Sequence, residues 1–336
     1  MELKKNQVLF LSDAQIKELV PSETVLKLTE KSFEEYAKGN AVNPVKLHLP
    51  AYPKYEGYVN SMPAYLTDLD IMGAKIVSVY RDNAQCGLPS TIGTIVLHDP
   101  KTGKPYALMN GTYVTSARTG AVMGVMAKYC AKKNAKSLTV IGAGAQGFSA
   151  FHMICLALPG IEEIRVVDIK DAAQDHFIAE AKKLFPDKTY LKFKDIQEAS
   201  ADADLVLSAA GGERPLLADI QFAKGATVLD VAETYGGTFV KRFDKYVGDF
   251  KECLVERIND DAKHHCEATG APYDGLELSD VSAEIGKIII GEETGRESDD
   301  EIVLASSVGM GIQDIIVAHE AFEKAMEKEV GTVLDF

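Results

Sequence analysis

The sequence lacks the features that place a protein in a membrane or outside the cell. No apolar run reaches the about 18 residues that mark a candidate transmembrane helix. The opening residues, Met1 to Asn6, lead into a polar helical pattern without the apolar core of a signal peptide. We therefore expect a cytoplasmic protein.

Cysteine is scarce and irregularly placed. The 336 residues contain five cysteines, an odd number, and no Cys-x-x-Cys pair. A disulfide framework is therefore disfavoured, and a reducing compartment is expected. His264, His265, Cys266 and Glu267 are adjacent, but neighbouring histidines on a helix point to different sides, and no second cluster has ligand spacing. We expect no bound metal.

Positive charge is in deficit. The chain has 36 Lys and Arg against 50 Asp and Glu, which gives a formal net charge of −14. An acidic surface disfavours general binding to nucleic acids or anionic membranes. It still permits a small basic pocket that binds an anion. Internal repeats and low-complexity tracts are also absent from the sequence.

The spacing of strands and helices changes near the middle of the chain. Between residues 44 and 108, short strands follow one another too closely for crossover helices, which predicts a largely antiparallel sheet. From residue 137 onward, strands alternate with helical patterns, which predicts a doubly wound parallel sheet. Further helices are predicted over Leu278–Ile290 and, as an amphipathic last helix, over Ser307–Lys328.

We therefore predict an α/β protein of two domains. An α+β domain covers residues 1–130 and is completed by residues 305–336, because the apolar face of the last helix needs a partner. A Rossmann domain, the doubly wound dinucleotide-binding fold, covers residues 131–304. Two domains agree with the length, since single cores stop growing near about 250–300 residues.

A glycine-rich turn carries the clearest chemical signal. The run Val140-Ile-Gly-Ala-Gly-Ala-Gln-Gly147 follows an apolar strand and opens a helix. Its glycines permit a tight turn, the approach of a pyrophosphate and close packing of helix on strand, and the helix N-terminus attracts phosphate. Asp168 ends the next strand, where a carboxylate contacts the ribose 2′-hydroxyl. The sequence therefore predicts NAD as the cofactor. Because Lys170 is nearby, NADP stays the less favoured alternative. A second alternative is a glycine-rich turn that binds no ligand.

Three basic residues precede this turn. Lys75 lies inside an apolar strand, and a buried lysine costs free energy unless it is paired. Arg118 lies in the first turn of a helix, against the dipole preference, which makes sense if an anion binds there. Lys46 and His48 alternate onto one face of a predicted strand. These cations suit a substrate carboxylate; solvated edge lysines and a solvated arginine are the alternative.

Together these segments resemble the ornithine cyclodeaminase/μ-crystallin family, which includes archaeal-type alanine dehydrogenases and ketimine reductases. The resemblance covers nearly the whole chain, and its most specific parts are Arg118-Thr-Gly-Ala121 and the Gly-Ala-Gly-Ala-Gln turn. The other segments are Met62-Pro-Ala-Tyr-Leu66, Gly73-Ala-Lys75, Gly87-Leu-Pro-Ser-Thr-Ile-Gly93, Gly295-Arg296, Glu301-Ile302 and Ser307-Val-Gly309. The resemblance implies an N-terminal domain that binds substrate and forms a homodimer, and a Rossmann domain for a nicotinamide cofactor.

The resemblance also implies roles for single residues. Lys46, Lys75 and Arg118 are expected to hold the substrate carboxylate, and Met62 to contact the substrate. The residues expected to contact the cofactor are Ser90, Thr91, Thr119, Gly142, Gly144, Ala145, Gln146, Gly147, Asp168, Ser208, Ala209 and Ser307.

Two positions depart from the family pattern. Lys46 stands where the family usually has arginine, so bidentate binding of a carboxylate is lost there. Thr234, beside Glu233, stands where the family usually has a catalytic aspartate. Either Glu233 or Asp230 substitutes for that aspartate, or the chemistry differs.

The implied chemistry is hydride transfer at a carbon that bears nitrogen. A desolvated Lys75 is the first candidate for the acid or base, and His48 and Glu233 are its rivals. We predict an NAD-dependent oxidoreductase acting on a small amino or imino acid, as an amino-acid dehydrogenase or imine reductase. The alternatives are an ornithine cyclodeaminase, which releases ammonia and uses NAD catalytically, and a non-enzymatic dinucleotide-binding protein of the crystallin type.

Overall fold

The chain divides into two compact units. The computed structural model describes residues 1–210, 216–231 and 236–336. Unit 1 comprises Met1–Arg118 and Met310–Phe336, and unit 2 comprises Thr119–Gly309. The first boundary falls inside a continuous helix, Thr112–Cys130, rather than at the predicted residue 130, and the second at residue 309 rather than 304. No loop marks the first boundary, so the local pattern could not locate it.

Unit 1 is built on a mixed sheet. Its strands are β1 (Gln7–Leu11), β2 (Ala41–Val42), β3 (Leu47–Pro50), β4 (Gly57–Leu66), β5 (Ile71–Tyr80), β6 (Thr91–His98), β7 (Pro105–Asn110) and, from the end of the chain, β16 (Thr332–Asp335). The order is β16-β1-β7-β6-β5-β4-β2, with β3 also paired to β4. The neighbours from β4 to β7 are antiparallel, as the short connections predicted, whereas β1 lies parallel to β7.

Helices complete unit 1. They are α1 (Asp13–Leu19), α2 (Ser22–Ala37), the first turns of α3 (Thr112–Cys130) and the last helix, α10 (Gly311–Lys328). Two glycines let α10 pack closely on the sheet. A Cβ on Gly311 would lie 2.9 Å from the carbonyl oxygen of Met62, and one on Gly73 would lie 3.3 Å from the Ile315 side chain. The first turn of α10 is thereby held against β4 and β5.

Unit 2 has the predicted Rossmann architecture. Its elements are β8 (Ser137–Ile141), α4 (Ala145–Ala157), β9 (Glu163–Val167), α5 (Asp171–Leu184), β10 (Thr189–Phe193), α6 (Ile196–Ser200), β11 (Leu205–Ser208), β12 (Thr227–Asp230), α7 (Gly237–Val240), β13 (Lys245–Gly248), α8 (Lys251–Thr269), β14 (Ala283–Glu284), α9 (Ile285–Ile289) and β15 (Val303–Ser306). The sheet order is β10-β9-β8-β11-β12-β15-β13-β14, and every pair is parallel. The central strands are fully buried, which explains their unbroken apolar runs.

Two predicted helices differ from the structure. The segment Leu278–Ile290 holds a 3-10 turn, strand β14 and the short helix α9, because Ala283 and Glu284 pair with β13. The last helix begins at Gly311 rather than at Ser307, because Gly309 takes a φ of 78°. In both places a tertiary or backbone constraint overrides the helical pattern of the sequence.

No helix in the described ranges combines the length and hydropathy needed to cross a bilayer. Within the same ranges, no group of three or more His, Cys, Asp or Glu side chains could hold a metal ion. All five cysteines are free.

Candidate functional site

Lys75 is buried at the centre of the unit 1 sheet. In the strand register it lies between Met62 of β4 and Ile95 of β6. Its side chain has no solvent exposure, and neither has that of Asp314, in the first turn of α10. The Lys75 ammonium donates to Asp314 Oδ1 over 2.7 Å. The buried lysine predicted from the apolar strand is thus paired with a carboxylate of the chain itself.

Arg118, which lies in the second turn of α3 rather than in the first turn of a helix as predicted, joins the same carboxylate. Its Nε donates to Asp314 Oδ1 over 2.9 Å, and its Nη1 donates to the Gln313 side-chain oxygen over 3.2 Å. The Arg118 side chain is 8% exposed. Two cations therefore share one carboxylate oxygen in a site nearly closed to water. Among the described residues, Asp314 Oδ2 and Gln313 Nε2 are buried with no hydrogen-bond partner.

This environment changes the proton affinity of Lys75. Burial lowers its pKa to about 7, and the charges of Arg118 and, more weakly, Lys46 act in the same direction. Asp314 opposes them through its charge and its hydrogen bond. A lysine with a pKa near neutrality can give or take a proton under physiological conditions.

The other predicted residues of unit 1 lie in different settings. Lys46 precedes β3 and is half-buried, and its charge acts on Lys75. Met62 is 4% exposed and is the cross-strand neighbour of Lys75. His48 is exposed, with its Nδ1 2.8 Å from Asn60 Oδ1 and its ring in tilted contact with that of Tyr58. His48 therefore contacts β4 through Asn60 and Tyr58.

The glycine-rich turn of unit 2 has the geometry of a phosphate cradle. Gly142 has a φ of 98°, and a Cβ on Gly147 would lie 1.9 Å from the Gly142 carbonyl oxygen. A Cβ on Gly144 would meet nothing within 4 Å. Helix α4 begins after Gly144 with no side-chain cap, which leaves its first amides for a ligand. Gln146 adds a buried Nε2 without a hydrogen-bond partner among the described residues. These features fit a pyrophosphate.

Asp168 is fixed at the edge of this turn. Its Oδ2 accepts from the Ala143 amide over 2.8 Å, and its Oδ1 from the Lys170 amide over 2.9 Å. Each carboxylate oxygen can accept more than one hydrogen bond, so both remain able to bind ribose hydroxyls. Two backbone amides thus fix the orientation of the acid that was predicted from its place after the second strand.

The remaining cofactor candidates have different degrees of burial. Ser208 ends β11, fully buried, and its hydroxyl has no partner within the described ranges. Ala209 donates to the Ile141 carbonyl oxygen over 2.9 Å. In unit 1, Ser90 is exposed and Thr91 begins β6, while Thr119 is the first residue of unit 2.

The strand that precedes the departure from the family pattern ends in a buried acid. Asp230 ends β12 at 2% exposure, beside Ser208 and Ser306 in the register. Thr234, at the position of the family aspartate, lies outside the described residues, and so does Glu233, which was a candidate with Asp230 to substitute for that aspartate.

Three polar residues were not anticipated from the sequence. Asp314 and Gln313 hold the basic pair of unit 1, and Asp249 holds a turn in unit 2. Asp249 is buried, and it accepts from the Ser307 hydroxyl over 2.6 Å and from the Gly309 amide over 2.8 Å. A signal for Asp314 was present: it is a charged residue flanked by Ile312 and Ile315 on the helix face that must be buried.

The chain is similar to known proteins over nearly its full length. The model of the ornithine cyclodeaminase/mu-crystallin family matches residues 6–329. A Δ1-pyrroline-2-carboxylate reductase of Bacillus cereus is 30% identical over 337 residues, covering 98% of this chain and 100% of its own. An alanine dehydrogenase of Archaeoglobus fulgidus is 29% identical over 332 residues, covering 98% of this chain and 99% of its own.

Solved structures agree. That of Thermococcus litoralis Δ1-pyrroline-2-carboxylate reductase in complex with NADH and L-proline matches with a TM-score of 0.85 and 31% identity, over 97% of this chain and 99% of that chain. An archaeal alanine dehydrogenase dimer with bound NAD matches with a TM-score of 0.84 and 26% identity, over 98% of this chain and 99% of that one.

Proposed function

The chain belongs to the ornithine cyclodeaminase/mu-crystallin family, and from that membership we propose that it is an NAD-dependent oxidoreductase acting on the carbon–nitrogen bond of a small amino or imino acid. The motifs of the sequence indicated this family, and the match over residues 6–329 confirms it. The two solved structures named above hold NADH and NAD. The cradle at Gly142, Gly144 and Gly147 suits the same cofactor.

A cyclic imino acid is the substrate that we favour. The observation that carries this choice is the similarity to two Δ1-pyrroline-2-carboxylate reductases, 30% and 31% identical over nearly the whole chain. Such a substrate has a carboxylate next to the imine carbon. The cations Lys46 and Arg118 supply the charge that a carboxylate needs in an otherwise acidic protein.

The residues of the chain divide the work of the reaction. Arg118 and Lys46 bind the carboxylate and so orient the imine carbon. When bound, NADH supplies the hydride that this carbon accepts. Lys75 gives a proton to the imine nitrogen, so that C=N becomes CH–NH, and it regains a proton from solvent. Because Lys75 is fully enclosed, substrate binding must open its surroundings before the proton passes.

An alanine dehydrogenase is the second candidate, favoured by the 29% identity to the Archaeoglobus fulgidus enzyme. Its reaction would use the same carboxylate anchors and proton carrier, with pyruvate and ammonia in place of a cyclic imine. Ornithine cyclodeamination is a third possibility within the family, and it differs in its products, because it releases ammonia without net formation of NADH.

We also propose that the protein is a homodimer in a reducing, cytoplasmic setting. Leu47 and Leu49 on β3 are 69% and 65% exposed, and Tyr52 just beyond is 63% exposed. Large apolar side chains gathered on one exposed strand are typical of an interface. One of the similar solved structures is described as a dimer. Five free cysteines support the compartment.

One substrate panel tests the three proposed activities. The purified protein is given NADH with Δ1-pyrroline-2-carboxylate, or with pyruvate and ammonium, and the absorbance of NADH is followed. In parallel, ornithine with NAD is assayed for ammonia. We expect the fastest loss of NADH with the cyclic imine. Ammonia release without net NADH would identify a cyclodeaminase, and no turnover in any arm would leave only the dinucleotide-binding hypothesis.

A further inference from the structure

Asp314 differs from a buried carboxylate that stabilises a turn. Asp249 accepts hydrogen bonds from the backbone amides of Phe250, Val308 and Gly309, so it fixes the path of the chain. Within the described part of the chain, the Asp314 side chain accepts hydrogen bonds from two cationic side chains, Lys75 and Arg118, and from no backbone amide. Its charge therefore acts on the site rather than on the fold of the backbone.

We propose that Asp314 is the positioning residue of the substrate site: it holds Lys75 and Arg118 together and sets the pH range in which Lys75 carries the reaction's proton. The inference rests on the proposed imine reduction. The hydrogen bonds of the Asp314 side chain go to the two cations, so it acts through them.

The electrostatic argument concerns two like charges in one enclosed space. Lys75 and Arg118 both lie within 3 Å of Asp314 Oδ1, at distances of 2.7 and 2.9 Å. Without the carboxylate, burial and mutual repulsion would both favour the neutral form of Lys75. Asp314 offsets these effects, and only a protonated Lys75 can give a proton to an imine.

The geometric argument concerns the orientation of Arg118. Asp314 Oδ1 accepts a hydrogen bond from Nε of its guanidinium, and Gln313 Oε1 accepts one from Nη1. Two acceptors on consecutive residues of α10 fix the plane of the group. An arginine fixed in this way can present a planar fork to a carboxylate, which a mobile side chain does only at an entropic cost.

The groups that face Lys75 come from four places in unit 1. Asp314 comes from α10, Arg118 from α3, Lys46 from the segment before β3, and Met62 is the uncharged neighbour on β4. Among the described residues, Asp314 is the acid that acts on the pKa of Lys75, and it raises that pKa. Removal of the Asp314 charge should therefore lower the pKa of Lys75, so that Lys75 loses its proton at a lower pH.

The test compares Asp314→Asn with wild type in two kinds of measurement. In the first, the pH profile of kcat/KM for the reduction of Δ1-pyrroline-2-carboxylate is recorded. We expect the alkaline limb to move to lower pH by at least about one unit and KM to rise at least tenfold, because Lys75 and Arg118 both lose their partner. Asp314→Glu keeps the charge and should restore the limb in part.

The second measurement needs no turnover. Urea unfolding is recorded at paired pH values just below and at neutrality. If Asp314→Asn lowers the pKa of Lys75 in the folded state, the unfolded chain binds more protons than the folded chain over a pH range that extends further below neutrality. The free energy of unfolding of Asp314→Asn should therefore fall more steeply between the two pH values than that of wild type. This arm tests the role of Asp314 even if the imine proves not to be the substrate.

Glu35→Gln is the matched control. Glu35 is a buried carboxylate of unit 1 that is paired with a lysine, since it is 4% exposed and lies 2.7 Å from the Lys31 ammonium. Its removal should change neither the alkaline limb nor KM. If Asp314→Asn keeps the wild-type limb and the wild-type pH slope of unfolding, Asp314 is merely structural and the proposal is wrong.

Discussion

At the scale of single residues, the proposed reaction depends on a lysine without solvent contact. Lys75 shares one carboxylate with Arg118, and burial lowers its pKa to about 7. The same side chain in water would stay protonated until about pH 10.4. In this environment Lys75 can exchange a proton near neutrality, as the proposed reaction requires. Three measurements test the roles proposed for Lys75 and Arg118.

Imine reduction should slow as the pH rises through the pKa of Lys75, about 7, because only the protonated lysine can supply the nitrogen with its proton. The reverse oxidation should speed up over the same range. Lys75→Met should remove the pH limb and lower kcat by about 10²–10⁴-fold. Initial rates in both directions across the neutral range check this; a limb that survives in Lys75→Met would assign it to another group.

The stability of the protein should rise with pH through Lys75. Its folded pKa lies below the unfolded value, so the unfolded chain binds more protons between the two. The free energy of unfolding gains about 1.4 kcal/mol per pH unit in that window from this residue, and loses it again as the pH falls toward 7. Urea unfolding of Lys75→Met should show a shallower rise; parallel slopes in the two proteins would contradict the shifted pKa.

Arg118→Lys separates the charge of the anchor from its shape. Lysine keeps the charge but cannot donate to both Asp314 and Gln313 from a planar fork. We expect KM for the imino acid to rise about 10- to 100-fold, which corresponds to about 1.4–2.7 kcal/mol of lost binding. NADH affinity, read by fluorescence, serves as the control. An unchanged KM would mean that Arg118 does not hold the carboxylate.

At the scale of elements, the glycine turn between β8 and α4 contains one glycine that the fold requires and one that the fold does not. Gly147 is needed for the turn itself, since its Cβ would meet the Gly142 carbonyl oxygen at 1.9 Å. Gly144 faces open space and has an ordinary negative φ of −80°. We therefore expect the two glycines of one motif to differ in role, Gly147 in packing and Gly144 in the approach of the cofactor.

The pair of variants Gly144→Ala and Gly147→Ala tests this division. Gly144→Ala should keep the melting temperature of the chain without cofactor and weaken NAD binding at least tenfold, because the new methyl group occupies the place of the pyrophosphate. Gly147→Ala should lower the melting temperature itself, since the backbone must shift. Calorimetry without and with NAD distinguishes them. Normal NAD binding by Gly144→Ala would place the pyrophosphate elsewhere.

At the scale of the whole molecule, the proposed substrate anchors and the cofactor cradle belong to different compact units. The chain builds most of unit 1, then unit 2, and then returns to complete unit 1. Unit 1 takes both the first 118 residues and the last 27, from Met310 to Phe336, so the Rossmann unit is an insertion between them. Asp314 is supplied by the returning segment. The long stretch that precedes the nucleotide fingerprint is therefore the larger part of unit 1, which we propose binds the substrate.

The proposed dimer provides a test at this scale. Leu47→Asp with Leu49→Asp places two charges on the exposed strand β3, and we expect dissociation to monomers in analytical ultracentrifugation. Leu184→Asp is the matched control, since Leu184 is a 44% exposed leucine of unit 2, at the end of α5. Sedimentation of the double variant as a dimer would move the interface away from β3.

The sequence by itself determined the class of cofactor and the Rossmann unit, and it singled out Lys75 and Arg118, which the structure brings together. These follow from local pattern: glycine spacing, the period of apolar residues and a lysine inside an apolar strand are all visible within a few neighbours. The two misplaced helix boundaries arose where pairing with β13 and a left-handed glycine overrode that pattern. Only the tertiary structure decided how the cations are balanced. Asp314 lies 239 residues after Lys75 and 196 after Arg118, and no local rule brings one carboxylate to two such distant partners.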